Sequence, residues 1–265
     1  MSPIRPVQGP RTQAMLHSQS GAPMPRCRPP FLIRLFFFLA VTSLVAGPPE
    51  PWPKPVPTFL DPNVPALRQA LPPPPPPGSL AAKADLESVL QVQVWRSADQ
   101  VALAQRLVKE DPFNFAEVLG PQFNGTNYPR TAEMLKKVLS DSYAVSLTVK
   151  DLYIRKRPHL EDPRVQPCVE LSTSPSYPSG HATRAYLTAT VLCGLFPERR
   201  EALMDFARKA AWARVQGGIH YPTDLEGGRL LAMAILEELN RSAAFRKVLE
   251  DCRAEVAAHA LNKAS

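Results

Sequence analysis

Three short segments in the second half of the chain hold residues whose types and spacing suit one chemistry. They are KDLYIRKRP (Lys150 to Pro158), SYPSGHAT (Ser176 to Thr183) and RVQGGIHYPTD (Arg214 to Asp224). Together they supply cations at Lys150, Arg157 and Arg214, a hydroxyl at Ser179, imidazoles at His181 and His220, and a carboxylate at Asp224. Cations hold a phosphoryl group through charge-assisted hydrogen bonds, and a histidine can accept that group or hand a proton to the oxygen that leaves.

Taken singly, each segment also has a plainer explanation. Lys150 and Arg157 stand seven residues apart, close to two helical turns, so one helix would project both from one face at its C-terminal end, where the macrodipole favours cations. Basic helix ends are also common solvated faces. On this geometry Arg155 and Lys156 fall on other faces and take no part. Pro178, Ser179 and Gly180 read as a turn entering a helix, whose free N–H groups can receive an anion beside His181 as proton donor. A serine N-cap next to an incidental histidine explains the same residues. Arg214 sits near a helix end that Gly217 and Gly218 break, and His220 falls in the loop that follows. Asp224 then lies in the first turn of the next helix, where it can reach back to an imidazole nitrogen, fix its tautomer and leave the other nitrogen more basic. A capping aspartate beside a surface histidine is the plain alternative.

The elements that must carry these residues read as helices. Ser79 is placed to cap a helix through about Trp95, and further helical patterns cover Ala98 to Lys109, Thr131 to Arg157, Ala182 to Leu195, Pro197 to Val215, Thr223 to Arg241 and Ala243 to Leu261. A loop rich in Phe, Asn and Gly separates the second and third. Alternating strands are absent, so the fold class is all-α.

Taken together, the three segments resemble the signature of the type 2 phosphatidic acid phosphatase (PAP2) superfamily. That signature runs lysine, six residues, arginine, proline; proline, serine, glycine, histidine; and arginine, five residues, histidine, three residues, aspartate. Every one of these positions is matched in order. SYPSGH and the arm FLDPNVPALRQALPPPP make the resemblance closer to the soluble bacterial class A non-specific acid phosphatases, from about Phe59 onward. Pro175 and Ala213 depart from the family's usual glycine and serine, which bears on substrate fit.

The resemblance implies a compact helical bundle of the acid phosphatase and vanadium haloperoxidase type, acting on small-molecule phosphomonoesters. It assigns His220 as the nucleophile that becomes phosphohistidine, Asp224 as its orienting carboxylate and His181 as the general acid and base. Lys150, Arg157, Ser179, Gly180 and Arg214 would bind the phosphate. It implies no metal and no cofactor. Because His220 must be neutral while His181 is protonated, the rate should be bell-shaped in pH with an acidic to near-neutral optimum. Phosphotransfer, a lipid or isoprenoid phosphate phosphatase, a vanadate-dependent haloperoxidase and a non-catalytic phosphate-binding protein share parts of this pattern. After Ala46 no apolar run reaches 18 residues, which speaks against a membrane enzyme. His17, His159 and His259 match no motif position.

Charge and composition agree with a small-molecule enzyme. The formal net charge is +7, yet Arg5, Arg11, Arg26, Arg28 and Arg34 precede residue 48 with no acid among them. Of 31 Lys and Arg, 26 therefore remain against 24 acids, which is not the cationic stripe of a nucleic-acid partner. The early arginines and the run Leu35 to Ala46 read as a signal peptide over residues 1–46, giving a periplasmic or secreted protein with no stable membrane insertion. Residues 47–78, with prolines at 72 through 77, read as an extended surface arm or linker, and residues 79–265 as the phosphatase domain. Cys168, Cys193 and Cys252 allow one disulfide in any of three pairings or none. A homo-oligomer is left open.

Overall fold

The computed structural model describes residues 56–264, so the signal peptide and the start of the proline segment lie outside it. Among the described residues the regular structure is ten α-helices and two short 3₁₀ turns, without strands. The helices are α1 (Pro65–Gln69), α2 (Leu80–Trp95), α3 (Ala98–Arg106), α4 (Ala116–Leu119), α5 (Pro129–Lys150), α6 (Pro158–Glu161), α7 (Gly180–Cys193), α8 (Arg200–Gln216), α9 (Pro222–Arg241) and α10 (Ala243–Ala264). None is long and apolar enough to cross a membrane.

Local chemistry sets the boundaries. The Ser79 hydroxyl accepts from the Ala82 N–H at 3.2 Å, and Ser97 closes a capping box with Gln100. Proline occupies the first turn of α5, α6 and α9, where its missing N–H costs nothing. Helix α7 is the centre of the bundle. It packs most extensively on α8 and α9, with α5 against its remaining side, and α10 covers α5. Leu187, Leu192, Leu203, Leu231 and Ile235 fill the space between these helices with no measurable exposure. Such close packing needs small residues at the crossing. A Cβ on Gly228 of α9 would lie 2.7 Å from the Ser179 carbonyl oxygen and 2.8 Å from Ala182 Cβ. The glycine thus lets α9 press against the start of α7 and brings two of the three motifs together.

Two sequence expectations need correction. The helix read as Thr131 to Arg157 stops at Lys150, and the chain turns at Asp151 and Leu152 before continuing without regular structure to Arg157. Lys150 and Arg157 therefore do not share a helix face. Pro158 disfavours helix at the residue before it, and tertiary bonds take over upstream. The Tyr153 hydroxyl donates to the Leu71 carbonyl at 3.3 Å, and the Arg155 carbonyl accepts from the Ser176 N–H at 2.8 Å. Second, the proline segment is not a free surface arm. It contains the short helix α1, and its Leu67 and Leu71 are buried in the main core. The Thr58 and Phe59 N–H groups bond the Asp141 carboxylate of α5 at 2.6 and 2.8 Å. Cys168, Cys193 and Cys252 are all free thiols.

Candidate active site

The three motif segments converge on one cavity of about 340 Å³. Lys150, Arg157, Gly180, His181, Arg214 and His220 all line it. Ser179 and Asp224, with no exposure at all, stand behind it. The Ser179 hydroxyl accepts from the Ala182 N–H at 3.3 Å, which makes it the N-cap of α7. Its contribution to the cavity is to shape the turn that presents Gly180 and His181, the first residues of the helix, whose N–H groups have no intrahelical acceptor.

The cations reach the cavity from three different elements. Lys150, at the end of α5, donates to the carbonyls of Pro175 and, at 3.4 Å, Ser176. Arg157 spans the loop: its Nε donates to the Ser174 carbonyl at 2.8 Å, Nη2 to the Ser174 hydroxyl at 3.1 Å and Nη1 to the Ile219 carbonyl at 3.0 Å. Arg214, near the end of α8, is 1% exposed, and its Nε and Nη1 have no partner in the protein. Burial first, then the neighbouring Arg157, pushes the Lys150 pKa down to about 7. Burial likewise lowers Arg157 and Arg214 to about 10. Concentrated, poorly solvated positive charge of this kind demands an anion.

His220 is 2% exposed. Its Nδ1 faces Asp224 Oδ2 at 3.2 Å, while Nε2 faces the cavity with Arg157 Nη1 at 3.3 Å. An ionised carboxylate only accepts and a guanidinium only donates. The neutral ring is therefore held with its proton on Nδ1 and its lone pair on Nε2. Burial drives the His220 pKa well below normal, against the bond to Asp224, so the ring stays neutral. Burial alone would raise the Asp224 pKa, but the bond from His220, with Arg155 and Ser176, outweighs it and brings it to about 2.

The supporting shell contains residues that motif reading passed over. Arg155 Nη1 donates to Asp224 Oδ1 and to the Thr223 hydroxyl, both at 2.7 Å, and its Nη2 donates to Asp85 Oδ2 of α2 at 2.7 Å. Its guanidinium lies 4.0 Å from the Tyr221 ring centroid. Ser176 Oγ donates to Asp224 Oδ2 at 2.5 Å, and the Tyr221 N–H donates to the same oxygen at 2.9 Å. A helix continuous to Arg157 would point Arg155 away from the site. The unwound segment turns it toward Asp224 instead. Asp85, 70 residues upstream of Arg155, carries no local signal at all.

His181 is held at both ring nitrogens: Nε2 lies 3.0 Å from the Val108 carbonyl and Nδ1 3.2 Å from Glu110 Oε1. Two acceptors favour the doubly protonated ring. Burial works in the opposite direction and dominates, with Arg214 and Arg184 adding to it against Glu110, so the His181 pKa falls to about 3. His17 lies outside the described residues, and the remaining two histidines have structural surroundings. His259 bonds the Asn127 carbonyl beside the Tyr128 ring, and His159 lies beyond Pro158, outside the cavity. Among the described residues no group of three His, Cys, Asp or Glu side chains is arranged to hold a metal ion.

Comparisons with known proteins bear on the same stretch. Residues 136–245 match the family described as the PAP2 superfamily. Over 147 residues the chain is 31% identical to a non-specific acid phosphatase of Salmonella typhimurium, covering 54% of this chain and 59% of the relative. It is 28% identical over 149 residues to an acid phosphatase of Zymomonas mobilis, covering 56% of that relative. The chain thus spans about three fifths of the length of the curated relatives it matches. A bacterial vanadium-dependent iodoperoxidase shares the fold, with a TM-score of 0.52 at 20% identity over 65% of this chain and 53% of that one. Residues 136–245 of the chain are thus similar to the PAP2 superfamily, the family whose signature its three motifs resemble.

Proposed function

We propose that the protein is an acid phosphatase, hydrolysing small-molecule phosphomonoesters through a phosphohistidine at His220 without a metal ion. One observation carries this reading. His220 Nε2 opens into a cavity lined by three buried cations, while its other nitrogen is held by Asp224. Binding alone would need the cations but not an imidazole fixed as a nucleophile. The similarity to proteins named acid phosphatases supports the same class.

In the first step the Nε2 lone pair attacks phosphorus and the bond to the ester oxygen breaks, with His181 protonating the departing alkoxide. Asp224 stabilises the positive charge that develops on the His220 ring. Lys150, Arg157, Arg214 and the N–H groups at the start of α7 bind the phosphoryl oxygens as they take up charge. In the second step water attacks phosphorus, His181 takes its proton, the N–P bond breaks and inorganic phosphate leaves. For either proton transfer the His181 Nε2 must release the Val108 carbonyl. A bound dianion beside the ring favours its protonated form, offsetting the burial that keeps its pKa low in the free protein.

The leading arginines and apolar run support export, with the mature chain beginning near Gly47 outside the cytoplasm; N-terminal sequencing of native protein checks this. The activity itself is tested on purified protein with p-nitrophenyl phosphate. Turnover should persist in chelator, orthovanadate should compete with substrate, and rapid quenching should trap an acid-labile phosphoenzyme. Turnover abolished by chelator and restored by a divalent cation would overturn the metal-free mechanism.

A further inference from the structure

We infer that Arg184 is a fourth oxyanion ligand of the cavity, outside the three motifs, and that Glu110 is the residue that aims it. This rests on the phosphate reading of the cavity. Arg184 lies on α7, one turn beyond His181, and is 8% exposed. Its Nε and Nη2 donate to the two oxygens of Glu110, both at 2.6 Å. That fork fixes the plane of the guanidinium and uses one edge of it. The remaining nitrogen, Nη1, is buried without a protein partner, and Arg184 lines the cavity alongside Arg214, whose Nε and Nη1 are in the same condition.

The location is set by the backbone of the proposed phosphate turn. A Cβ on Gly180 would lie 3.0 Å from Arg184 Nη2 and 3.1 Å from Nη1, so the guanidinium rests directly against that glycine. It thus stands where the first N–H groups of α7 are available to the same anion. Buried guanidinium N–H groups without acceptors are costly to a fold, and two arginines sharing that condition around one cavity point to a common ligand with several acceptor oxygens. A tetrahedral oxyanion meets the requirement. A purely structural ion pair does not explain Nη1, because the Glu110 carboxylate engages Nε, Nη2 and His181 Nδ1 and leaves Nη1 unbonded.

The test is orthovanadate binding measured by titration calorimetry on the whole protein, a readout independent of turnover. Arg184→Gln, which can still hydrogen-bond Glu110, should weaken binding about 10- to 100-fold, the usual loss for a charged hydrogen-bond donor. Glu110→Gln keeps the polar contact but loosens the fork, and should weaken binding several-fold while lowering kcat/KM for p-nitrophenyl phosphate. Arg184→Lys keeps the charge without the fork and should recover only part of the loss. A structural role would lower the melting temperature and leave the vanadate affinity of the folded fraction unchanged. That result, in either the Gln or the Lys variant, overturns the inference alone. Wild-type protein that binds no vanadate, with Arg157→Gln as the matching control, overturns the phosphate reading together with it.

Discussion

His181 and His220 carry the same side chain in opposite settings, and the difference predicts separable phenotypes. His220 has one nitrogen on a carboxylate and one on the cavity, while His181 has both nitrogens on acceptors. His220→Ala should abolish turnover and phosphoenzyme for every substrate. His181→Asn should slow alkyl phosphates, whose alkoxides need a proton, by 10²-fold or more, and p-nitrophenyl phosphate far less. Rapid-quench kinetics on both substrates separate the two; phosphoenzyme in the His220 variant would reverse the assignment. The pH profile belongs to the same scale. A bell with a limb set by an ordinary histidine is not what the surroundings give, because burial keeps His220 neutral well into acid. For anion binding, a limb on the alkaline side comes from Lys150, which binds anions only when protonated, and its pKa lies at about 7. Sulfate holds its charge across this range. The rise in melting temperature that it causes should therefore be large at pH 6 and shrink as pH increases through 7 to 9, and Lys150→Met should flatten the trend.

At the scale of elements, the motif spacing was legible but its geometry was not. Lys150 and Arg157 do meet in one cavity, although by way of a turn and a stretch of irregular chain rather than two turns of helix. The wrong helix concealed Arg155, since its role depends on the backbone leaving α5 after Lys150. The starts of α2, α7 and α9, read at Ser79, Ala182 and Thr223, fall within two residues of those observed because caps and prolines act locally. Asp85 was unreadable because its meaning arises only when α2 docks against the start of α9. There it accepts from both Arg155 and the Thr223 backbone. We expect Asp85→Asn to leave Arg155 without its second carboxylate and to destabilise the fold by about 3 kcal/mol, the usual cost of breaking a buried pair. It should also lower kcat several-fold with little change in KM, as Asp224 loses a fixed neighbour. Urea unfolding and steady-state kinetics check both; an unchanged kcat would leave Arg155 and Asp85 as a structural tie only. Acid should expose the same network. The Asp224 pKa is depressed from its ordinary 3.8 to about 2, so the stability it supplies is complete above pH 3.8 and is lost as pH falls through 2.

At the scale of the whole molecule, the segment before α2 decides how the bundle is closed. Its prolines announced an extended chain, and Pro72–Pro76 lie outside any regular element before the chain turns at Pro77 and Gly78. Leu67 and Leu71 gave no periodic signal over so short a stretch, yet both are core residues, and the Tyr177 and Tyr153 hydroxyls of the site loops donate to the carbonyls of Pro72 and Leu71. The segment thus packs directly behind SYPSGH, on the face of that loop away from the cavity. Phe59 stacks edge-on against Phe245 of α10, with ring centroids 5.6 Å apart, which ties the same segment to the far side of the bundle. Leu67→Ala should therefore cost about 2–5 kcal/mol, the range for a leucine removed from a closed core. If the segment also steadies the site, the variant should lose vanadate affinity at temperatures well below its unfolding transition. Denaturation by guanidinium gives the first quantity and calorimetric titration at 15 °C the second. A cost below 1 kcal/mol would show a segment laid over the surface, whereas full destabilisation with unchanged affinity would confine its role to closing the core.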